Sequence, residues 1–111
     1  MFSRKGQFQA PCLVLAAGLG NRKLAPLIGL KQPVRPQKGQ ILVTQKIDKL
    51  IDVPMTLLRQ TAEGSIMIGD SKEEVGFDIS SSIDIMAQIA DRARRTLPVL
   101  EKQQIIRGWA A

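Results

Sequence analysis

The residues best suited to bind a nucleotide lie near the N-terminus, in the stretch CLVLAAGLGNRKL, residues 12–24. An apolar run ends there in Ala16–Gly18, and Gly18-Leu19-Gly20 begins a dinucleotide fingerprint. Lys23 occupies the position of the last glycine of that fingerprint, and the nearest downstream acid is Asp48. The spacing alone therefore does not predict a complete dinucleotide site. Small residues that let a strand pack closely beneath a helix explain the same pattern.

Side chains for acid–base catalysis are scarce. The 111 residues contain no histidine and no tyrosine, so the serines have no histidine base and a hydrolase triad is excluded. Glu73 and Glu74 are adjacent on a predicted loop, which is typical of a solvated turn. The single cysteine, Cys12, excludes an internal disulfide and leaves a metal ion without a partner ligand. Any chemistry therefore requires a cofactor or another part of the protein.

The charge is positive but scattered. Residues 1–50 carry nine lysines and arginines against one acid, a balance of +8, while residues 51–111 carry seven against nine, a balance of −2. In residues 1–50 the basic residues form no helix stripe, and a single aromatic residue, Phe8, lies between them, so we expect no nucleic-acid partner. A small basic nucleic-acid-binding domain stays open as an alternative on charge alone. No apolar run approaches the length of about 18 residues that a membrane span needs, which favours a cytoplasmic location.

The elements that must position these residues follow from the hydrophobic pattern. A hairpin is predicted over residues 2–10, and CLVLAA is typical of a strand covered on both faces. A short helix is predicted from Asn21 to Gly29, followed by a proline-containing connection. Apolar positions at three- and four-residue spacing predict a helix from Ile83 to Leu97. The remaining predicted strands are QILVTQ, MTLLRQT, SIMIGD and QQIIRGWA. Ala62-Glu63-Gly64 predicts a short hairpin loop between the second and third of these, with glycine where a positive φ is needed. The order predicts an α+β fold with a βα remnant in front.

Five segments in this order resemble the FAD-dependent oxidoreductases of the D-amino acid oxidase superfamily. The segments are LVLAAGLGNRKLAPLIGL, PVRPQKGQILVT, LLRQTAEGSIMIGD, EEVGFD and RTLPVL with IIRGWAA. Within the superfamily the resemblance is to glycine-oxidase-like enzymes, which include opine oxidase and hydrogen cyanide synthase subunits. It covers essentially the whole chain and implies FAD as the cofactor of the parent protein.

The resemblance implies two domains. Residues 1–32 would be a piece of the FAD-binding domain, comprising a hairpin, a strand and a short helix. Residues 33–111 would be most of a substrate-binding domain with a mixed, mainly antiparallel sheet and one main helix. Leu13–Gly18 would be an interior strand beneath the flavin nucleotide. The residues implied to contact FAD are Ala16, Ala17 and Gly18, and those implied to line the substrate pocket are Leu57, Leu58 and Arg59.

Some of the family's functional segments are not among these residues. The glycine fingerprint that cradles the FAD pyrophosphate is not present, nor is the later segment carrying the arginine that binds the substrate carboxylate. Where some relatives have a pocket tyrosine, Leu57 and Leu58 stand here, and Arg59 beside them could face a carboxylate or solvent. The expectation is a fragment of a cytoplasmic or membrane-associated enzyme, itself inactive and binding FAD weakly or not at all.

The resemblance also implies the partners and the reaction. The parent would oxidise the C–N bond of a small amino acid, amine or opine by hydride transfer to flavin, alone or with other oxidoreductase subunits. The fragment would pack against the rest of its own polypeptide. The alternative is a non-catalytic module that self-associates, as a homodimer for instance, through open sheet edges such as that of QQIIRGWA.

Overall fold

The computed structural model describes residues 2–111 and divides into two compact units, Met1–Arg35 and Pro36–Ala111. In this part of the chain the strands are β1 (Phe2–Ser3), β2 (Gly6–Gln7), β3 (Gln40–Lys46), β4 (Leu58–Gln60), β5 (Ser65–Ile68) and β6 (Ile105–Ala110). The α-helices are α1 (Asn21–Leu24) and α2 (Ile83–Thr96), and 3-10 turns lie at Gly18–Gly20, Ala25–Ile28 and Pro98–Lys102. Within residues 2–111, neither α1 nor α2 has the length and apolar character needed to span a membrane.

The first unit contains little core of its own. β1 and β2 form the predicted hairpin, and helical segments run from Gly18 to Ile28. Gly29 ends this run with φ of +75°, a left-handed conformation that glycine adopts without a Cβ penalty. Among residues 3–35 only Ala25 is buried. Large apolar side chains are exposed instead, among them Leu27, Ile28 and Leu30.

The prediction of a buried strand at Leu13–Gly18 is wrong. Residues 12–17 form no strand, and the Leu13 and Val14 side chains are 49% and 83% exposed. A parallel strand needs neighbouring strands to take its backbone hydrogen bonds and helices to cover its faces. Residues 2–35 provide no such neighbours, so the apolar run forms no strand and most of its side chains are exposed. Because this segment is exposed, it cannot serve as evidence for the flavoprotein assignment in the way that a buried strand would.

The second unit is a four-stranded sheet with one main helix. The strand order is β4-β5-β3-β6, and each described pairing is antiparallel. The α+β class is confirmed, while the expected mixed sheet is antiparallel in the described residues. β4 and β5 are joined by a tight hairpin whose Gly64 has φ of +100°, as the glycine in that loop predicted. The two edge strands of the described sheet are β4 and β6.

Helix α2 covers one face of the sheet. Its apolar positions recur at helical spacing, so Ile89 and Ala93 are fully buried while Ile83 is exposed. Asp84 lies in the first turn, and Arg94 and Arg95 lie in the last, which suits the helix dipole. The core beneath the helix consists of Leu42, Leu58, Ile66, Ile68, Ile89, Ala93 and Leu100.

Candidate functional site

The sheet face opposite α2 is the surface on which polar side chains can meet a small molecule. Side chains alternate between the two faces of a strand. Ile66 and Ile68 of β5 lie in the core under α2, so Met67 between them points to the opposite face. Leu58 likewise lies in the core, which turns Arg59 to the opposite face. We call this opposite surface the open face.

The close contact of β6 with α2 settles which residues of β6 belong to the open face. A Cβ added to Gly108 would lie 2.8 Å from Met86 Cε of α2 and 3.1 Å from Leu42 Cδ2. Gly108 therefore faces the helix, and its neighbours Arg107 and Trp109 point to the open face. The Arg107 guanidinium carbon lies over the Trp109 ring, 5.1 Å from its centre, a cation–π contact.

One row of the open face crosses the whole sheet. Arg59 pairs with Met67, Met67 pairs with Val43, and Val43 pairs with Arg107. Both ends of the row are arginines, and both middle residues are apolar. Three strand spacings separate the Cα atoms of the two arginines by about 14 Å. The next row continues the apolar centre, because Ile41 pairs with Trp109 and its Cγ1 lies against Gly69.

The two arginines have no acidic partner among residues 2–111. The described ion pairs involve Lys38, Lys49, Arg94 and Arg95, none of which lies on the open face. Arg59 Nη2 lies 2.9 Å from Met67 Sδ and donates to the thioether, so its head lies over β5. The open face thus offers two charged donors that can bind an anion such as a carboxylate.

The residues predicted to line a substrate pocket divide between the core and the open face. Leu58 is 1% exposed and belongs to the core. Leu57 is half-buried and packs against that core, and its carbonyl accepts a hydrogen bond from the Gly69 amide at 3.0 Å. Of the three, Arg59 is the one whose side chain is exposed on the open face. A pocket wall at Leu57, Leu58 and Arg59 stays a prediction.

The segment predicted to contact FAD is exposed and built of small residues. The side chains of Ala16 and Ala17 are exposed, and Gly18 has φ of +52° with no atom within 4 Å of the position of a Cβ. The Ala17 amide donates to Asn21 Oδ1 at 3.1 Å, and Asn21 Nδ2 donates to the Leu15 carbonyl. This geometry leaves room for van der Waals contact with a nucleotide, but the Ala17 amide is not free to bind a phosphate.

An ionic network surrounds the buried side chain of Lys38, just before β3. Lys38 Nζ is 3.2 Å from Glu73 Oε2 and 3.2 Å from Asp78 Oδ2, and it donates to the Ser80 carbonyl at 3.0 Å. Gln40 Nε2 donates to Glu73 Oε1 at 2.9 Å. The network joins the connection before β3 to the loop between β5 and α2.

Gln40 extends this network to the main helix. The Ser82 amide, at the N-terminus of α2, donates to Gln40 Oε1 at 2.9 Å. The Ser71 hydroxyl accepts a hydrogen bond from the backbone amide of Gln40 at 2.9 Å and donates one to Glu73 Oε1 at 2.7 Å. Because Gln40 is fully buried, these bonds satisfy polar groups that would otherwise be costly to bury. The network fixes one end of the sheet to the helix that covers it.

The network shifts the protonation equilibria of its members. Hydrogen bonds from Ser71 and Gln40, with Lys38 nearby, lower the pKa of the Glu73 carboxyl. Hydrogen bonds from Ser80, again with Lys38, lower the pKa of Asp78. Burial works to lower the pKa of Lys38, but Glu73 and Asp78 outweigh it and the pKa is raised. All three groups are therefore charged at neutral pH, and the network is a structural element rather than a proton donor or acceptor.

Sequence reasoning missed several of these residues. The solvated turn predicted for Glu73 and Glu74 is wrong for Glu73, whose side chain is 15% exposed and ion-paired. It holds for Glu74, which is exposed. Arg107 and Trp109 were not singled out, although the alternation in IIRGWA around a glycine was a signal that both occupy one face.

Comparisons with known proteins identify the family. The family model described as "FAD dependent oxidoreductase" matches residues 3–111. An opine oxidase subunit of Agrobacterium tumefaciens (strain Ach5) is 48% identical over 97 residues, covering 87% of this chain and 26% of that protein. Hydrogen cyanide synthase subunit HcnC of Pseudomonas aeruginosa is 32% identical over 110 residues, covering 95% of this chain and 26% of that protein.

The fold agrees with the sequence match. The crystal structure of L-proline dehydrogenase from P. horikoshii superposes with a TM-score of 0.72 and 25% identity, covering 87% of this chain and 29% of that one. The chain thus spans about a quarter of the length of the curated relatives it matches. The family model covers nearly every residue here, and the chain belongs to the FAD-dependent oxidoreductase family.

Proposed function

We propose that this chain is part of an FAD-dependent oxidoreductase that oxidises the C–N bond of a small amino acid, amine or opine. The observation that carries the proposal is the 48% identity to the opine oxidase subunit of Agrobacterium tumefaciens, which extends over 87% of the chain. The chain spans 26% of that relative. The activity is therefore proposed for the longer protein, and the 111 residues are proposed to be inactive alone.

In this proposal the two parts of the chain have different tasks. Residues 1–32 belong to the FAD-binding domain, and residues 33–111 form the larger part of the substrate domain. The boundary lies close to the division of the structure into Met1–Arg35 and Pro36–Ala111. The exposed apolar side chains of the first unit, such as Leu27, are the surface that packs against the rest of the parent protein.

FAD, when bound, accepts hydride from the carbon next to the amine nitrogen. The proposed contribution of Ala16, Ala17 and Gly18 is a close van der Waals surface for the nucleotide, since their side chains are small and exposed. The open face of the sheet forms one wall of the substrate pocket. Its apolar residues Val43, Ile41 and Met67 exclude water, and Arg59 orients the substrate by its charge.

The test requires the complete reading frame that contains this chain. The purified full-length protein is expected to carry FAD, and amines, amino acids or opines are expected to bleach its flavin absorbance anaerobically. A full-length protein without flavin, or flavin reduced by none of these compounds, would contradict the proposal. The 111-residue chain alone is expected to purify colourless. A stoichiometric yellow preparation of it would overturn the expected weak binding.

The second candidate is a non-catalytic module that self-associates. The specific observation in its favour is β6, an edge strand of the described sheet in which Ile106 is 62% exposed. An uncovered edge can pair with the same strand of a second copy. Size-exclusion chromatography with light scattering distinguishes a monomer from a dimer of the 111-residue chain. A monomer at high concentration contradicts this candidate, whereas a dimer dispersed by Ile106→Lys supports it.

A further inference from the structure

Met67 lies on the open face, and its sulfur is in contact with a cation. Its neighbours along β5, Ile66 and Ile68, are buried in the core, whereas Met67 is half-buried. Arg59 Nη2, on the adjacent strand β4, donates a hydrogen bond to Met67 Sδ at 2.9 Å. A thioether sulfur is a weak acceptor. Because Arg59 has no acidic partner among residues 2–111, its guanidinium is available to bind a stronger acceptor at the same position.

The other methionines of residues 2–111 have different surroundings. Met86 lies on α2, where its side chain packs against the core and meets the backbone of β6 at Gly108. Met55 lies in the loop before β4 and is 43% exposed. In the described part of the chain, Met67 is therefore the methionine that combines partial exposure with a cation at its sulfur.

Oxidation of a methionine replaces this weak acceptor with a strong one. The sulfur lone pair attacks one oxygen of hydrogen peroxide, an S–O bond forms as the O–O bond breaks, and the second oxygen leaves as water. The sulfur is oxidised by two electrons and the peroxide is reduced by two. A hydrogen bond from a guanidinium to the polar sulfoxide oxygen is charge-assisted. Arg59 is the charged donor beside Met67, since Val43 on its other side is apolar.

We infer that Met67 is a reversible oxidation site, at which Arg59 binds the sulfoxide oxygen and is thereby held on β5. Hydrogen peroxide is the oxidant. A methionine sulfoxide reductase restores the thioether, as two thiols form a disulfide and the oxygen leaves as water. The consequence for activity rests on the proposed function, in which Arg59 orients the substrate. An Arg59 guanidinium bound to the sulfoxide is not available to the substrate, so oxidation is expected to lower kcat/KM.

The contact between Arg59 and the sulfoxide is tested on the 111-residue chain carrying Met55→Leu, which removes an exposed methionine. Limited treatment with hydrogen peroxide is followed by peptide mass analysis, which locates the added oxygen atom. Urea unfolding then compares the oxidised and untreated chains, with Arg59 and with Arg59→Leu. Oxidation of Met67 is expected to raise the unfolding constant about tenfold more in Arg59→Leu, because the sulfoxide there lacks a hydrogen bond from a charged donor.

The matched control is Arg94→Gln, on α2 and therefore away from the open face. Its response to oxidation is expected to equal that of the chain with Arg59 and Arg94 both present. Arg59→Lys keeps a charged donor and is expected to show an intermediate loss, which preserves the comparison if Arg59→Leu does not fold. Equal losses with and without the Arg59 guanidinium would overturn the inference. So would a Met67 that gains no oxygen under conditions that oxidise Met55 completely in the unsubstituted chain.

The effect on activity is measured with the full-length enzyme as the ratio of kcat/KM after and before peroxide treatment. The ratio is expected to fall for the unsubstituted enzyme, to recover after methionine sulfoxide reductase and thiol are added, and to change little in Met67→Leu. A fall of equal size in Met67→Leu would overturn the link between Met67 and activity. If no amine, amino acid or opine reduces the flavin, the proposed function fails, and the unfolding comparison on the 111-residue chain still decides whether Arg59 stabilises the sulfoxide.

Discussion

Lys38 and Glu73 are joined through both their backbones and their side chains. Each amide donates to the other residue's carbonyl at 2.9 Å, and Lys38 Nζ lies 3.2 Å from Glu73 Oε2. The pair connects the segment that enters β3 with the loop that leads to α2. Since β3 is a central strand and carries Val43 and Ile41 of the open face, this pair fixes one end of the proposed substrate wall.

Lys38→Met is expected to destabilise the fold by leaving the Glu73 and Asp78 carboxylates without their cation. Lys38 is 5% exposed, so water cannot fully replace the lost partner. Lys49→Met is the control, because the Lys49–Asp52 pair is exposed, and its effect is expected within about 0.5 kcal/mol. Urea unfolding followed by Trp109 fluorescence measures both. Equal effects of the two substitutions would contradict a structural role for the network.

Stability is expected to fall at acid pH through Glu73 and Asp78. Their pKa values are lowered in the folded state, chiefly by hydrogen bonds from Ser71 and from Ser80. Their contribution is therefore present above their ordinary values of 4.5 and 3.8 and is lost as the pH falls through the lowered ones. The raised pKa of Lys38 gives a contribution that is present below 10.5 and lost at higher pH.

Glu73→Gln tests this dependence. The variant is expected to have a lower free energy of unfolding at neutral pH and a smaller further loss on acidification, because one titrating group has been removed. The measurement is the free energy of unfolding in urea as a function of pH. An acid limb as steep as that of the unsubstituted chain would show that other carboxylates dominate.

Gly64→Ala is expected to be far more destabilising than Gly76→Ala. Both glycines have positive φ, +100° at Gly64 and +66° at Gly76. A Cβ at Gly64 would lie 2.7 Å from the Ile47 carbonyl oxygen, whereas none lies within 4 Å at Gly76. We expect a cost of roughly 2 kcal/mol or more for Gly64→Ala and about 1 kcal/mol for Gly76→Ala. Thermal unfolding of the two variants under identical conditions measures the difference.

The parts of the fold that could be predicted from the sequence are those whose burial depends on nearby residues. Helix α2 carries its apolar stripe within 14 residues, and the glycine between β4 and β5 indicated their hairpin. Leu13–Gly18 was predicted as a buried strand because an apolar run alone does not reveal whether neighbouring strands exist. Glu73 was misplaced for the opposite reason. Its burial depends on Lys38, which lies 35 positions earlier in the sequence. The residues next to Glu73 do not indicate that this partner is present.

The residues of the open face could likewise be predicted from the sequence only in part. The alternation in β4 and β6 could have placed Arg59 and Arg107 each on one side of its own strand. Only the strand order and register bring them into one row, because β4 and β6 do not neighbour each other. In the sequence, β5 and the long connection that contains α2 lie between them. A shared row of two distant arginines therefore emerges from the topology of the sheet.

Thr44→Val is expected to destabilise the sheet at its centre. Thr44 is fully buried, and its hydroxyl accepts the Ile66 amide at 2.9 Å and donates to the Gln45 carbonyl at 2.8 Å. This hydroxyl supplies an acceptor where the register of β3 shifts and the ladder is interrupted. Valine has nearly the same shape but leaves the Ile66 amide unpaired, at a cost of about 1–3 kcal/mol.

Thr44→Ser keeps the hydroxyl and is expected to cost less, since it removes only a methyl group. Chemical denaturation measures both, and hydrogen exchange at Ile66 should accelerate in the valine variant alone. A valine variant as stable as the serine one would show that the hydroxyl is dispensable.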